Sequence, residues 1–539
     1  MLAAYRNTLE SLIIFCLGLI LFVIGSGSRE ILGFDSRFYL FALEMWRYGT
    51  SWFPMTYHLP YPDYPAASTL LIYLSARLLG GVSKLSAVLP SAVLAAATLV
   101  LTYRIGSQHS RRFGWCAVFF LLLTLTFIKS ARSIALDMYP TVICAGVFYL
   151  IYSADRANHP NRGLWVYPLL FLGFAFRGPI GLVMPAGVIC AYYLQTKNIR
   201  KLLLSGFAAL LLLFVCTAAL LVLARHTGGD IFMREVMRME VLGRMDNPYL
   251  PVYFYFTDSF GSYALAYPVA CLVLPGVAYY FSRESSSEMK LVYLLFGWMA
   301  IILAGMSIPD DKKVRYILPM LPAAALIASY PFIAPARQRY FVLLRKALAR
   351  VFLVLPLLFF LGVLFIRYDE HAHSLSLGIR YTVILVLLSV LQVISLILFY
   401  AGQFRSVREP GLLCVSALSF IFTFLYCIEP IQLYFDKARD FVQAVEAKRN
   451  LRSARLVFYR EKPDGLPIKY LINMNSLDQP EFIDNESALM RFAPAAFFVT
   501  SQAYYDALPV PVAARFRIIA KNRLGHVPVV VFTNREGLE

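Results

Sequence analysis

Charge is scarce in this chain. Only 15% of its 539 residues are Asp, Glu, Lys or Arg, and 59% are hydrophobic; a soluble domain sits nearer about 25% charged. Acidic residues are the scarcer half, 32 against 50 Lys and Arg, for a net charge of +18. An excess of that size can mark a nucleic-acid partner. Here the cations are spread over short turns between apolar runs. Membrane topology and anionic headgroups or phosphates account for that pattern, and no nucleic acid is expected. Histidine is sparse as well, with seven residues. His371 and His373 form an HxH pair beside Asp369 and Glu370, which reads as an exposed polar loop before it reads as a metal site. All eight cysteines lie in or at the ends of apolar runs, where they act as small hydrophobes. Neither a disulfide nor a zinc cluster is therefore expected. The chain has no phosphate-cradling Gly-rich loop, no GxSxG and no dinucleotide fingerprint. Those absences argue against ATP-driven work and serine hydrolysis.

What is present is a series of runs long enough to cross a bilayer. Thirteen spans are expected, at 8–25, 82–105, 113–129, 137–153, 164–176, 178–195, 201–224, 260–281, 290–307, 316–333, 351–366, 376–401 and 411–428. The first reads as an uncleaved signal anchor. The apolar stretch 66–80 would rise only about 22 Å as a helix, short of a core of about 30 Å. Reading it as a juxtamembrane helix puts six turns on one side, holding 17 Lys and Arg against 4 Asp and Glu. That asymmetry marks them as cytoplasmic and places both the first loop, 26–81, and the C-terminal tail outside. Ser36–Tyr48 carries Phe38, Phe41, Ala42 and Met45 at helical spacing, so an amphipathic helix lying on the membrane is expected. Ile231–Val241 looks similar. The chain divides into a membrane region, 1–428, and a soluble tail, 429–539, large enough for one small α/β domain. In the tail, Asp436–Ala447 reads as a helix, and Leu456–Arg460 and Lys469–Asn473 as strands turning at Pro463-Asp464-Gly465. Ala496–Thr500 reads as a strand, Ser501–Leu508 as a helix, and Phe516–Lys521 with Val527–Thr533 as a hairpin.

Ionisable groups beside a membrane point to a functional site by default. The outer ends carry Asp35, Asp63, Lys129, Arg132, Asp137, Arg177, Asp310, Asp311, Lys312, Lys313 and Arg315. Asp35 is placed to act as a general base or to hold an acceptor group, or else to cap the helix that starts at Ser36. Asp137 reads as a helix cap, a partner for Arg132, or a site residue. Arg177-Gly178-Pro179 joins two runs almost without a loop and fixes a guanidinium at the break; it suits phosphate, or snorkelling to headgroups. Lys312, Lys313, Arg315 and Tyr316 put three cations and a phenol at one membrane entrance, a second candidate phosphate site.

Taken in order, these segments resemble the GT-C membrane glycosyltransferases, the superfamily of the lipid A aminoarabinose transferases and the protein O-mannosyltransferases. That family opens its first outer loop with Asp-Glu-x-Arg-Tyr; here Asp35-Ser36-Arg37-Phe38-Tyr39 stands in place. Its acidic-Lys-Pro-Pro segment is matched by Asp63-Tyr64-Pro65, its Leu-Asp pair by Leu136-Asp137, and its Lys-Gly-Pro turn by Arg177-Gly178-Pro179. A Lys-rich turn before Tyr-x-Leu-Pro is matched by Lys312 to Pro319. The resemblance implies a GT-C bundle with juxtamembrane helices and a small periplasmic α/β domain. It implies a bacterial inner-membrane enzyme, acting as a monomer, that moves a sugar with inversion from a polyprenyl phosphate such as undecaprenyl phosphate to lipid A, another envelope glycan or protein. Asp35, Asp63 and Asp137 become its catalytic carboxylates, and Arg177, Lys312, Lys313, Arg315 and Tyr316 its donor-phosphate set. A metal can bind the second acid of the aminoarabinose enzymes with a histidine from a later loop. Arg244 to Pro248 stands in that region without a histidine, so no metal or other cofactor is expected. A lipid transporter or flippase would show mid-span polar residues, and a lipid-linked oligosaccharide polymerase or ligase would not need the Asp35 segment; both remain alternatives.

Overall fold

The computed structural model describes residues 2–28, 36–62, 65–242, 250–283, 286–310, 312–369, 380–404, 407–435, 438–451, 453–474, 479–492, 494–525 and 527–534. Asp35 and Asp63 lie outside these residues, as do Tyr64, Asp311 and the HxH pair.

The protein is mainly helical. Helix α1 (Leu2–Val23) packs along α4 (Lys84–Ser107), whose N-terminus is closed by a capping box between Ser83 and Ser86. Between them come α2 (Ser36–Tyr48) and the short α3 (Ala67–Leu79), with a two-stranded ribbon, β1 (Met55–Thr56) and β2 (Leu59–Pro60), in the connection. Helices α5 (Arg111–Leu122) and α6 (Leu125–Ala131) meet at a 78° bend. Then follow α7 (Met138–Ala157), α8 (Val166–Gln195) and α9 (Ile199–Met237).

Among the described residues, eight helices are long and apolar enough to cross a membrane, nine if the bent α5–α6 pair is one span. This is a multi-pass membrane architecture. The expected count of thirteen is not reproduced by that test. Two apolar segments, Ala266–Tyr280 and Leu321–Ser329, form helices too short for it. Another difference lies in α8, which joins the runs 164–176 and 178–195. Arg177 and Gly178 break its helical backbone, with Gly178 at φ +62°, and Pro179 follows without a donor. A Cβ on Gly173 would sit 2.1 Å from the Gly181 carbonyl oxygen. Eight residues of unbroken helix rise about 12 Å, so the chain must double back at Arg177. Helix α8 is thus a hairpin of two arms that touch through glycine.

Charged groups collect at the two ends of the bundle. At one end Glu10 accepts from Arg111, Tyr103 and Trp115, while Arg112 pairs with Glu409 at 2.9 Å. The other end carries the first loop and the C-terminal sheet. That sheet has five strands in the order β4-β3-β5-β7-β6, from β3 (Arg455–Tyr459), β4 (Glu481–Ile483), β5 (Ala496–Ser501), β6 (Arg517–Leu524) and β7 (Val527–Thr533). The expected β6–β7 hairpin and the Ala496 strand are present. Lys469–Asn473 is not a strand: Leu466–Leu471 is a helix with Pro467 in its first turn. Strands β3 and β4 are parallel, so a crossover helix replaces the expected hairpin.

Helix α2 has the expected bounds but does not simply lie on a membrane. Phe38, Phe41 and Ala42 pack with Ile72, Ile134 and Leu136, whereas Leu40 joins Phe458 and Tyr470 in the core under the sheet. It is wedged between bundle and tail, which explains why both of its faces are buried.

Candidate functional site

Asp137 stands at the N-cap position of α7, yet its side chain makes no capping hydrogen bond. It is 5% exposed. Its Oδ1 accepts from Arg177 Nη2 at 3.1 Å, and its Oδ2 lies 3.2 Å from Arg315 Nε. Arg132 is not its partner: that guanidinium pairs with Glu429 at 2.8 Å and donates to the Leu21 and Ile24 carbonyls at the end of α1. Three separate breaks therefore converge on one carboxylate: the start of α7, the turn of the α8 hairpin, and the turn beginning at Val314. Arg177 and Arg315 thus bring two guanidinium groups to one buried carboxylate, and guanidinium forks suit an anionic group brought from the lipid.

The other predicted cations behave differently. Lys312 is buried, and its ammonium donates to the Leu250 and Pro309 carbonyls at 2.9 and 2.7 Å. It fastens the segment before Arg315. Lys313 Nζ lies 5.7 Å and the Arg315 guanidinium 6.0 Å from the Tyr316 ring centroid, distances at which a cation feels the ring. Lys129 is exposed. Sequence reasoning missed Tyr263, a wholly buried phenol that donates to the Val314 carbonyl at 2.9 Å and so holds the backbone next to Arg315. It also missed the Arg37–Tyr61 hydrogen bond of 3.2 Å, which ties α2 to the stretch carrying Asp63. Neither has a signature in linear spacing.

Beside this cluster lies a cavity of about 710 Å³. Leu70 of α3, Phe174 and Ala175 of the first α8 arm, and Val215 and Leu220 of α9 line it, with Trp52 of the first loop. Its walls are apolar, and Phe174 and Ala175 bring it within a turn of Arg177. In the first loop, burial pushes the Glu44 carboxyl above its ordinary 4.5, opposed by His58 and by Arg47. Among the described residues its Oε2 has no hydrogen-bond partner.

Residues 63–224 match the sequence model of the dolichyl-phosphate-mannose-protein mannosyltransferase family. Two uncharacterised proteins of Aquifex aeolicus are 26% and 25% identical over 261 and 259 residues, 46% and 47% of this chain. The chain spans about half the length of these curated relatives, 49% and 56%. The crystal structure of ArnT from Cupriavidus metallidurans bound to undecaprenyl phosphate superposes with a TM-score of 0.67 over 98% of both chains at 16% identity. Its apo state gives 0.70 over 99% of both at 15% identity. The shared fold extends through the C-terminal sheet. The chain thus shares the fold of ArnT over nearly its whole length.

Proposed function

We propose that the protein is an integral-membrane glycosyltransferase that takes a sugar from a polyprenyl-phosphate donor and passes it to an acceptor at the outer face of the inner membrane. The observation that carries this reading is the buried Asp137 held between Arg177 and Arg315, one turn from an apolar cavity. The cavity suits an isoprenoid tail, and the solved ArnT structure with undecaprenyl phosphate makes a lipid of that class the natural occupant.

In the reaction the acceptor oxygen attacks the anomeric carbon from the face opposite the lipid phosphate. The new C–O bond forms as the bond from that carbon to the phosphate oxygen breaks, and the departing phosphate keeps the electron pair. Inversion follows. Arg177, Lys313 and Arg315 stabilise the charge that grows on the phosphate, with Tyr316 beside them. Asp137 holds the two guanidinium groups in position, and Lys312 fixes the turn. Asp35 takes the proton of a hydroxyl acceptor; with a phosphate acceptor, already ionised, it only positions the group. Asp63 is assigned, with Asp137, to shaping the site and holding its basic groups. Both Asp137 oxygens face guanidinium groups, surroundings that repel a divalent cation at that carboxylate.

The test is transfer by the purified full chain from an undecaprenyl-phosphate sugar, with mass spectrometry of envelope lipids and glycans from cells with and without the gene. A missing pentose, hexose or amino-sugar mass identifies sugar and acceptor. Asp35→Asn is expected to abolish transfer with membrane expression intact; full turnover by that variant overturns the mechanism.

A further inference from the structure

The end of the bundle that carries Glu10 also holds a buried imidazole with no part in the site. His109 sits in the turn between α4 and α5, and its side chain is 1% exposed. Its Nε2 lies 2.6 Å from the Tyr152 hydroxyl and 2.8 Å from Arg156 Nη1, both on α7. Its Nδ1 faces the helix Ser287–Ser307, 3.3 Å from Ser287 Oγ and 3.6 Å from Glu288 Oε1. A guanidinium can only donate, so the ring must offer it a lone pair, and only the neutral imidazole has one. Nε2 therefore accepts, and the Nδ1 proton is left for Ser287 and Glu288. Among the described residues, Tyr152, Arg156 and Glu288 are the titratable and charged groups that face the ring. Others close by are engaged elsewhere: Arg111 with Glu10, Arg112 with Glu409, and Asp155 with Tyr192 and Lys201. Burial first, and then the Arg156 charge, hold the imidazole below its ordinary 6.5, with Glu288 opposing them.

From this geometry we infer that His109 is a proton-operated latch: neutral, it ties the α4–α5 turn to α7, and protonated at Nε2 it lets α7 go. A proton taken from water onto Nε2 removes the lone pair that faces Tyr152 and Arg156. It also sets a second positive charge against the guanidinium. The ring then keeps Ser287 and Glu288, where its charge favours the contact. Because burial lowers the folded pKa, the tie is whole above 6.5 and is lost as pH falls below it, through the lowered value. The helices that meet at His109 also reach the site. Asp137 stands at the start of α7, and Ser287–Ser307 leads towards the turn that carries Arg315. Stacked rings join the two helices on the way: Tyr152 meets Phe148 at 5.8 Å, and Phe148 meets Trp298 at 5.2 Å. Trp298 Nε1 then donates to the Pro319 carbonyl at 3.0 Å, within the same turn as Arg315. Acid therefore loosens α7 at the end opposite Asp137.

The test is hydrogen exchange, read by mass spectrometry, on the purified full chain in detergent, with labelling times scaled to the intrinsic rate at each pH. Peptides covering 106–110 and 152–158 are expected to exchange faster as pH falls from 7 towards 5. The rise should approach about tenfold per pH unit, the slope that one proton gives. In His109→Gln the amide oxygen takes the place of Nε2 and gains no charge, so exchange in these peptides should stay level. A wild-type profile that is flat over this range overturns the latch, and so does an equal rise in His109→Gln. If that variant melts early, Glu288→Gln decides. It removes the carboxylate that favours the charged ring, so the onset of faster exchange should move to lower pH; an unmoved onset overturns the latch. The readout is exchange of backbone amides, so the result stands whether or not the chain transfers sugar.

Discussion

A buried charge is tolerated only while it is paired, and that fixes what substitution at Arg177 does. Arg177→Met leaves Asp137 with one guanidinium at 7% side-chain exposure. Removing one partner of a buried pair costs on the order of 3–5 kcal/mol. Arg177→Lys keeps the charge and loses the planar fork. In a transfer assay, Arg177→Lys is expected to keep activity within about one to two orders of magnitude of wild type, and Arg177→Met to fall by about a thousandfold or more. Equal loss in both would mean that fork geometry, not charge, is what matters there. Glu44 poses the opposite case, a carboxyl without a guanidinium fork. Its folded pKa is raised, so the stability it contributes is fully present below 4.5 and is lost as pH rises through the raised value. Glu44→Gln removes that loss. Melting curves across pH 4–7 should show a shallower decline for the variant and a higher Tm near neutrality. A wild-type profile that matches the variant's would place the ionised Glu44 in water.

The hairpin of α8 is the element on which the site depends, because its turn carries Arg177. Its arms meet where Gly173 and Gly181 face each other's carbonyls. Gly173→Ala puts a methyl group 2.1 Å from the Gly181 oxygen, a distance no relaxed contact reaches, so the arms must part. Overpacking of this kind costs about 1–3 kcal/mol and shifts backbone. A lower Tm in detergent and a loss of transfer larger than the stability loss alone explains are expected. The same substitution at Gly206, where an added Cβ meets nothing, should change neither, and a fall there would remove the hairpin argument. This element was half legible beforehand. Arg177-Gly178-Pro179 announces a break, since Gly supplies the positive φ and Pro begins the next arm. The glycines that let the arms touch lie four residues to either side and look like ordinary small residues in an apolar run.

Across the whole molecule, what was legible is what hydrophobic length and helix punctuation control. The apolar runs, the wedge helix Ser36–Tyr48 and the short Ala67–Leu79 all follow from periodicity. The convergence of Asp137, Arg177 and Arg315 was legible only as a set of charged breaks. Which cation meets Asp137 depends on packing between distant segments, and spacing offers Arg132 as readily as Arg315. The tail strand expected at Lys469 failed for a related reason: a parallel partner for β3 demands a crossover, and that is a property of the sheet. The joint between tail and bundle is likewise a long-range product. Leu40 of α2 enters the core under the sheet, Tyr57 Oη donates to the Pro463 carbonyl at 2.9 Å, and its ring meets Phe482 at 5.4 Å edge-on. Burial pushes the Tyr57 phenol up, as a tyrosine under a docked domain should be. Tyr57→Ala removes one hydrogen bond and one ring contact from this seam, together about 1–3 kcal/mol. Neither lies within the sheet's own core. The expected result is faster tryptic cleavage near Arg439 with the bundle's own melting unchanged. Tyr57→Phe, which keeps the ring contact, should fall between. If Tyr57→Ala is cut no faster than wild type, the tail is held by the α2 wedge alone, and Leu40→Ala becomes the substitution that frees it.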